Sequence, residues 1–136
     1  GALKIIQDVA HRYPVAVATN GEVDFTNIKL QSCGFLAALP NLKIYTKDLV
    51  AKPKPAPDLY LYVANEFGVD PKDCWVIEDS VAGVTSAVAA GMHTIGFTAC
   101  THDRAHAATV LKDAGAALII EDYADFPLEN PRRLIA

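Results

Sequence analysis

The sequence lacks three features that each mark a whole class of proteins. Its 136 residues contain no apolar run near the roughly 20 residues that a membrane helix needs, so we expect no membrane span. Its basic residues form no stripe and its net charge is −4, which argues against nucleic acid or an anionic membrane surface as a partner. It also has no internal repeat and no low-complexity tract.

Cysteine is scarce and follows no recognisable pattern. Cys33, Cys74 and Cys100 are widely spaced, and they form neither a CxxC pair nor a zinc-binding spacing. An odd number of scattered cysteines is typical of reduced thiols in or near the core of a cytosolic protein. A cytoplasmic location is therefore the expectation.

The remaining composition is that of one globular domain. Hydrophobic residues make up 51% of the chain and charged residues 21%, which excludes disorder. Strand and helix patterns alternate, and we predict helices near residues 2–12, 25–33, 57–67, 81–90 and 104–114, with strands at 15–18, 42–45, 74–77, 94–97 and 117–120.

The predicted strands are continuously apolar, which indicates that both of their faces are buried. This pattern predicts the α/β class, with a doubly wound parallel sheet covered by helices. We assign residues 1–126 to the core domain and residues 127–136 to a polar C-terminal tail.

The most informative segment reads Cys-Trp-Val-Ile-Glu-Asp-Ser-Val-Ala-Gly and covers residues 74–83. Its apolar run stops at two adjacent acids, Glu78 and Asp79, at the carboxyl end of a predicted strand, where α/β proteins bind ligands. Adjacent carboxylates repel each other unless a cation lies nearby. Mg²⁺ is the expected cation, because it accepts one or two carboxylates together with water and substrate phosphate.

Other polar groups follow the neighbouring predicted strands. Thr19 and Asn20 follow the first strand, and Lys52 and Lys54 lie in a proline-rich turn after the second. The carboxyl ends of parallel strands share one edge of a sheet, so we expect these groups to converge with the acidic pair. A hydroxyl, an amide, an ammonium and two carboxylates are suited to holding a phosphoryl group and its Mg²⁺.

Each of these features also has a purely structural interpretation. Thr19 and Asn20 suit the cap of the following helix, and Asp79 or Ser80 suits an ordinary N-cap. Lys54 alone is typical of a solvated loop charge, although the adjacent prolines stiffen its turn. These alternatives stay open at the level of the sequence.

Further candidates have a stronger structural interpretation. His102 and His106 are four residues apart and could share a metal, but no additional ligand has a suitable spacing, so a solvated helix start is favoured. The aromatic side chains of Tyr60, Tyr62 and Trp75 are expected to pack in the core.

The order of these motifs resembles the haloacid dehalogenase superfamily of phosphohydrolases, in the branch with β-phosphoglucomutase and phosphoglycolate phosphatase. The resemblance rests on Thr-Asn after an apolar strand, Lys-Pro-Ala-Pro-Asp at 54–58, Val-Ile-Glu-Asp-Ser-Val-Ala-Gly at 76–83 and Ala-Ala-Gly-Met at 89–92. It covers residues 2–126, nearly the whole chain.

The resemblance implies how the phosphoryl group is held. Thr19 would donate a hydrogen bond to the phosphoryl oxygens, and the backbone at Asn20 would assist. Lys54 would bind the same group and steady the nucleophile. Lys52 is the second choice for this role, because its Pro-Lys-Pro context fits the motif less well.

The resemblance also implies a Mg²⁺ site. Asp79 would bind the ion directly, and Glu78 would bind it directly or through water. Ser80 and Gly83 would shape the turn and allow the following helix to pack closely.

One family motif is missing from this sequence. Family members begin with an apolar strand ending in Asp-x-Asp, whose first aspartate is the nucleophile, and no Asp-x-Asp occurs here. We therefore expect the chain to be the C-terminal part of a longer protein. The nucleophile strand would lie between the strands carrying Thr19 and Asp79, supplied by an N-terminal segment or a second chain, and a helical cap would also lie outside the chain.

The expected activity of the complete protein is Mg²⁺-dependent phosphoryl transfer, by a phosphatase or a phosphomutase. An aspartate outside this chain would form an aspartyl-phosphate with a small phosphorylated metabolite, such as a sugar phosphate or phosphoglycolate. This chain alone would be inactive. The alternatives are a non-catalytic α/β binding or interaction module, and a dehalogenase, which the pair of Glu78 and Asp79 disfavours.

Overall fold

Helices and strands alternate along the chain in the computed structural model, which describes residues 1–129. The described part contains six α-helices: α1 (Ala2–Ala10), α2 (Val23–Ser32), α3 (Phe35–Ala38), α4 (Asp58–Phe67), α5 (Val81–Ala89) and α6 (Arg104–Asp113). It contains five strands: β1 (Ala16–Thr19), β2 (Lys43–Thr46), β3 (Trp75–Glu78), β4 (His93–Phe97) and β5 (Leu118–Ile120). Short 3-10 turns cover Lys47–Leu49, Pro71–Asp73 and Tyr123–Asp125.

The strands form two parallel sheets. β1 pairs with β2, and β3, β4 and β5 pair in that order. Among residues 1–129, no strand pairing joins β1 to β3. The α/β class with parallel strands is confirmed, and the break in the sheet lies between the strands where the sequence predicts a gap.

One apolar cluster connects the two sheets. Helix α4 contacts β1, β2 and α5, so it bridges the space between β1 and β3. The buried members of this cluster are Tyr60, Ala64, Val76, Ala87, Ala90 and Met92, and Ala18 of β1 packs against them. The carboxyl ends of β1 and β3 are therefore held close to each other without being paired.

The three-stranded sheet is buried on both faces, as its continuously apolar strands predict. Ile119 packs with the cluster of Val84 and Leu111, which come from α5 and α6. Leu118 and Ile120, its neighbours in the strand, point to the opposite face and pack with a cluster that includes Phe97. In β3, Val76 packs with the cluster around α4 and Ile77 packs with the cluster of Phe97, so both faces of the strand that ends in Glu78 are packed.

Most predicted elements agree with the structure within about two residues, the usual uncertainty of helix ends. The sequence did not predict α3, because a helix of 4 residues is too short to show a periodic pattern. The predicted tail begins inside the described part of the chain, but its residues 130–136 lie outside it.

The expected location of the thiols is wrong in two cases. Cys33 and Cys100 are exposed, and only Cys74 is half-buried. Cys33 follows the end of α2 and Cys100 follows β4, and such connecting segments run over the surface. No helix within residues 1–129 is both long enough and apolar enough to cross a membrane.

Candidate active site

Lys54 is the centre of the polar cluster. Its side chain is only 6% exposed, so the interpretation as a solvated loop charge is wrong. Its ammonium donates hydrogen bonds to the Ala18 carbonyl oxygen at 2.9 Å and to the Tyr60 hydroxyl at 2.9 Å, and it forms an ion pair with Glu78. An ammonium has three N–H donors, and each of them has a partner inside the chain.

Glu78 ends β3 and is the acidic half of this buried ion pair, with a side chain 10% exposed. Its Oε1 atom accepts from Lys54 and from the Tyr60 hydroxyl, the latter at 2.6 Å, and Oε2 accepts from the Ser80 hydroxyl at 3.2 Å. A buried carboxylate needs such partners to offset its lost hydration. Glu78 is therefore fixed in place by three side chains.

Gly83 makes room for the Glu78 carboxylate. A Cβ atom at Gly83 would lie 2.0 Å from the carboxyl carbon of Glu78, far inside contact distance. Ser80 is the N-cap of α5, and its hydroxyl accepts a hydrogen bond from the Gly83 N–H at 3.0 Å. The N-cap interpretation is thus correct for Ser80, and this capped turn places the carboxylate over the start of the helix.

Two anchors hold the proline-rich loop that carries Lys54. The Asn20 side chain donates to the Lys54 carbonyl at 3.1 Å and accepts from the Lys54 N–H at 3.2 Å. Beyond Lys54, the Ala56 carbonyl accepts a hydrogen bond of 2.6 Å from the buried hydroxyl of Ser86. The loop is therefore tied both to the end of β1 and to α5.

Neither Thr19 nor Asn20 caps the following helix. The N-cap of α2 is Glu22, which makes no side-chain capping bond. Thr19 instead accepts a hydrogen bond from the Gly21 N–H at 3.0 Å, inside the turn that follows β1. The capping interpretation of this pair is wrong, and the Thr19 hydroxyl lies at the carboxyl end of its strand.

Asp79 has a different environment from that of Glu78. It is exposed and lines a cleft of about 230 Å³ together with Ile77, Glu78, Phe97, Cys100 and Tyr123. The rings of Phe97 and Tyr123 stack in this cleft, with their centroids 4.2 Å apart. Partial burial and the negative charge of Asp79 raise the pKa of the Cys100 thiol.

The acidic pair fits Mg²⁺ better than it fits a metal that needs a closed protein cage. Within the described chain, no group of three or more His, Cys, Asp or Glu side chains could hold a metal, whereas Mg²⁺ takes one or two carboxylates and keeps several waters. Asp79 presents its carboxylate to the open cleft. Both Glu78 oxygens already accept hydrogen bonds, which suits a contact through water.

The two histidines belong to an ordinary helix start. His102 and His106 are exposed, and Asp103 is the N-cap of α6, accepting a hydrogen bond from the His106 N–H at 3.0 Å. This agrees with the solvated helix start that the sequence favours.

Tyr60 is the site residue that sequence reasoning missed. It is buried in the core as expected, with 6% of its surface exposed, but its hydroxyl contacts both charged groups of the cluster. Burial and the neighbouring Glu78 carboxylate raise the pKa of Tyr60, so the phenol keeps the proton that it donates. The sequence feature that could have identified Tyr60 is its position in the first turn of α4, which directly follows the loop that carries Lys54.

The structure brings Lys54, Glu78 and Asn20 into one hydrogen-bonded cluster, with Asp79 next to it in the chain and Thr19 next to Asn20. Lys52 is exposed, which agrees with the preference for Lys54. A parallel α/β sheet with a polar site at its strand ends defines a Rossmann-like domain. More specifically, the chain belongs to the haloacid dehalogenase-like hydrolases, whose family model matches residues 1–91.

Two curated proteins are similar to different lengths of this chain. The chain is 38% identical over 100 residues to a probable pseudouridine-5'-phosphatase of Drosophila melanogaster, covering 70% of this chain and 43% of that protein. It is 30% identical over 131 residues to the chloroplastic protein SUPPRESSOR OF QUENCHING 1 of Arabidopsis thaliana, covering 96% of this chain and 12% of that protein.

A solved structure has the same fold. A HAD family hydrolase from Deinococcus radiodurans R1, solved with bound phosphate and sodium, superposes with a TM-score of 0.80 at 32% identity. The alignment covers 91% of this chain and 55% of that one. The chain thus spans about half of the length of this structure, and less of the two relatives above.

Proposed function

We propose that the complete protein is a Mg²⁺-dependent phosphohydrolase or phosphomutase that acts on a small phosphorylated metabolite. One observation carries the proposal: the Lys54 ammonium and the Glu78 carboxylate meet at the carboxyl ends of β1 and β3, beside a cleft lined by Asp79. The probable pseudouridine-5'-phosphatase among the relatives supports a small phosphorylated substrate, and a sugar phosphate or phosphoglycolate is the kind that we propose.

In this proposal each residue has a defined task. Lys54 opposes the charge that develops on the transferring phosphoryl group, and the Thr19 hydroxyl donates to its oxygens. Asn20 keeps the lysine loop in register with β1. Asp79 would hold Mg²⁺ directly and Glu78 would do so through water, and the ion would supply charge neutralisation at the phosphoryl oxygens.

The nucleophile would come from outside the chain. An aspartate on a strand between β1 and β3 would attack phosphorus, displace the alcohol of the phosphate ester and form an aspartyl-phosphate; water or a second hydroxyl would then take the phosphoryl group and release the aspartate. Within residues 1–129, β1 has a strand partner only in β2 and β3 only in β4. The two edges that face the gap support this proposal, because a strand placed there would pair with their backbone groups. The strand would come from another segment of the same polypeptide or from a second chain.

We also propose a cytoplasmic location, because reduced thiols are typical of cytosolic proteins.

The test is a panel of phosphate monoesters assayed with the full-length protein, with Mg²⁺ and after chelation. We expect turnover that requires the metal, and none from residues 1–136 alone. Asp79→Asn should lower kcat/KM by about 100-fold or more, because a metal supplies several kcal/mol of charge stabilisation. The matched control is Asp113→Asn at the exposed end of α6. Equal activity of the two variants would refute the metal assignment.

A non-catalytic binding module is the second candidate, and one observation favours it. All three Lys54 N–H donors already have partners within the chain, so this ammonium can be explained as part of a stable polar core. The same assay together with a binding measurement on the same esters separates the two candidates, because full-length protein that binds phosphate esters but turns over none of them would support the module.

A further inference from the structure

We infer that Tyr60 is a positioning residue for phosphoryl transfer, whose hydroxyl aligns Lys54 and Glu78 against each other. The inference rests on the proposed function, and it adds a residue that lies in none of the motifs behind that proposal. Tyr60 is the third residue of α4, and that helix packs against β1 and α5. Its side chain is therefore held from both sides of the gap between the sheets.

Three contacts connect this one side chain to both charged groups. The Tyr60 hydroxyl accepts from the Lys54 ammonium at 2.9 Å and donates to Glu78 Oε1 at 2.6 Å. The Lys54 ammonium also lies 4.5 Å from the centroid of the Tyr60 ring, within the range of a cation–π contact. A phenylalanine at this position would keep the ring contact and lose both hydrogen bonds.

The three N–H donors of the Lys54 ammonium show why the Tyr60 hydroxyl matters for function. All three N–H groups of Lys54 are engaged, so a phosphoryl oxygen is bound only when one of them leaves its partner. Glu78 is charged and holds its donor strongly, and the Ala18 carbonyl is fixed in β1. Tyr60 is neutral and, unlike the Ala18 carbonyl, its hydroxyl belongs to a side chain, so it can release Lys54 while it continues to donate to Glu78.

Loss of this hydroxyl should therefore affect turnover more than substrate binding. In Tyr60→Phe, Lys54 keeps its charge and gains a free N–H, so KM for the phosphate ester should stay unchanged or fall. Glu78 loses a donor and Lys54 loses its alignment, so kcat should fall about tenfold, as for one hydrogen bond to a charged group. A purely structural role would lower the amount of folded protein and leave kcat per folded molecule unchanged.

The chain contains a matched control in the same helix. Tyr62 lies two residues further along, and its ring packs against Tyr45 with a centroid distance of 6.0 Å. Tyr62→Phe removes the same hydroxyl group from a neighbouring side chain that does not touch the cluster. We expect Tyr62→Phe in the full-length protein to retain the wild-type kcat and KM, and a wild-type kcat in Tyr60→Phe would overturn the inference.

A second measurement does not depend on activity. The measurement is a double-mutant cycle of the full-length protein with Tyr60→Phe and Glu78→Gln. The change in the unfolding equilibrium constant of the double mutant should differ about tenfold from the product of the changes in the two single mutants. A coupling factor near one would overturn the contact on which the inference depends. If the wild type cleaves no phosphate ester but the coupling is present, the proposed function fails while the placement of Tyr60 is supported.

Discussion

Gly83→Ala should destabilise the protein although the substitution lies in a helix. Alanine normally stabilises a helix interior by about 1 kcal/mol relative to glycine. Here the new Cβ would lie 2.0 Å from the Glu78 carboxyl carbon, so the carboxylate has to leave its place. The backbone need not move, because the end of a glutamate side chain can swing toward the neighbouring cleft.

The magnitude follows from the bonds that Glu78 would abandon. It would lose the ion pair with Lys54 and the hydrogen bonds from Tyr60 and Ser80, and Lys54 would stay buried without its counter-charge. Breaking one side of a buried ion pair costs about 3–5 kcal/mol. After the gain in helix propensity, we expect a net loss of about 2–4 kcal/mol in the free energy of unfolding.

The measurement is urea denaturation of the full-length protein, with the same substitution repeated in a Lys54→Met/Glu78→Ala background. That background has neither charge and leaves space for the new methyl group, so Gly83→Ala should stabilise it by about 1 kcal/mol. We therefore expect Gly83→Ala to lower the free energy of unfolding in the wild-type background and to raise it in the double-mutant background. A stabilisation of similar size in both backgrounds would refute the reasoning that Gly83 exists to accommodate Glu78.

Two further predictions concern the charged groups of the site. Lys54→Met should lower kcat/KM of the full-length protein by about 100-fold or more, whereas Lys52→Met, which removes an exposed charge, should change it by less than about twofold; equal losses would contradict the choice of Lys54. Because partial burial and the Asp79 carboxylate raise the pKa of the Cys100 thiol above its ordinary value, its alkylation rate, followed by mass spectrometry, should reach its plateau at a higher pH than that of a free cysteine. Asp79→Asn removes the negative charge and should shift this profile to lower pH, so an unchanged profile would argue against the contact.

The secondary structure was largely predictable because its signals are local. The apolar run before Glu78 and the alternation of strand and helix need only the neighbouring residues, and the structure agrees with both. Helix α3 was not predictable, since its 4 residues form about one turn and carry no period. The predicted burial of Cys33 and Cys100 was wrong because the exposure of a loop residue depends on the path of the loop over the folded protein, which the local sequence does not show.

Part of the candidate site was also predictable. Lys54 and Glu78 follow different strands, and the rule that parallel strands end at one edge predicts that they approach each other. The same rule does not predict Tyr60, because the contacts of its hydroxyl with Lys54 and Glu78 depend on where α4 packs relative to the gap between β1 and β3. The role of Gly83 was only partly foreseen, since the sequence indicates close packing of the helix but not that the neighbour is a carboxylate.

By itself, the sequence determined the α/β class, the order of the elements and the set of polar residues at the strand ends, because periodicity and motif spacing are properties of the chain alone. Tertiary structure alone decided which partners these residues take. It gave all three Lys54 donors to Ala18, Tyr60 and Glu78 and left Asp79 exposed in the cleft. The physical reason is that burial, and not residue type, sets whether a charged group must find a partner within the protein or can remain in water.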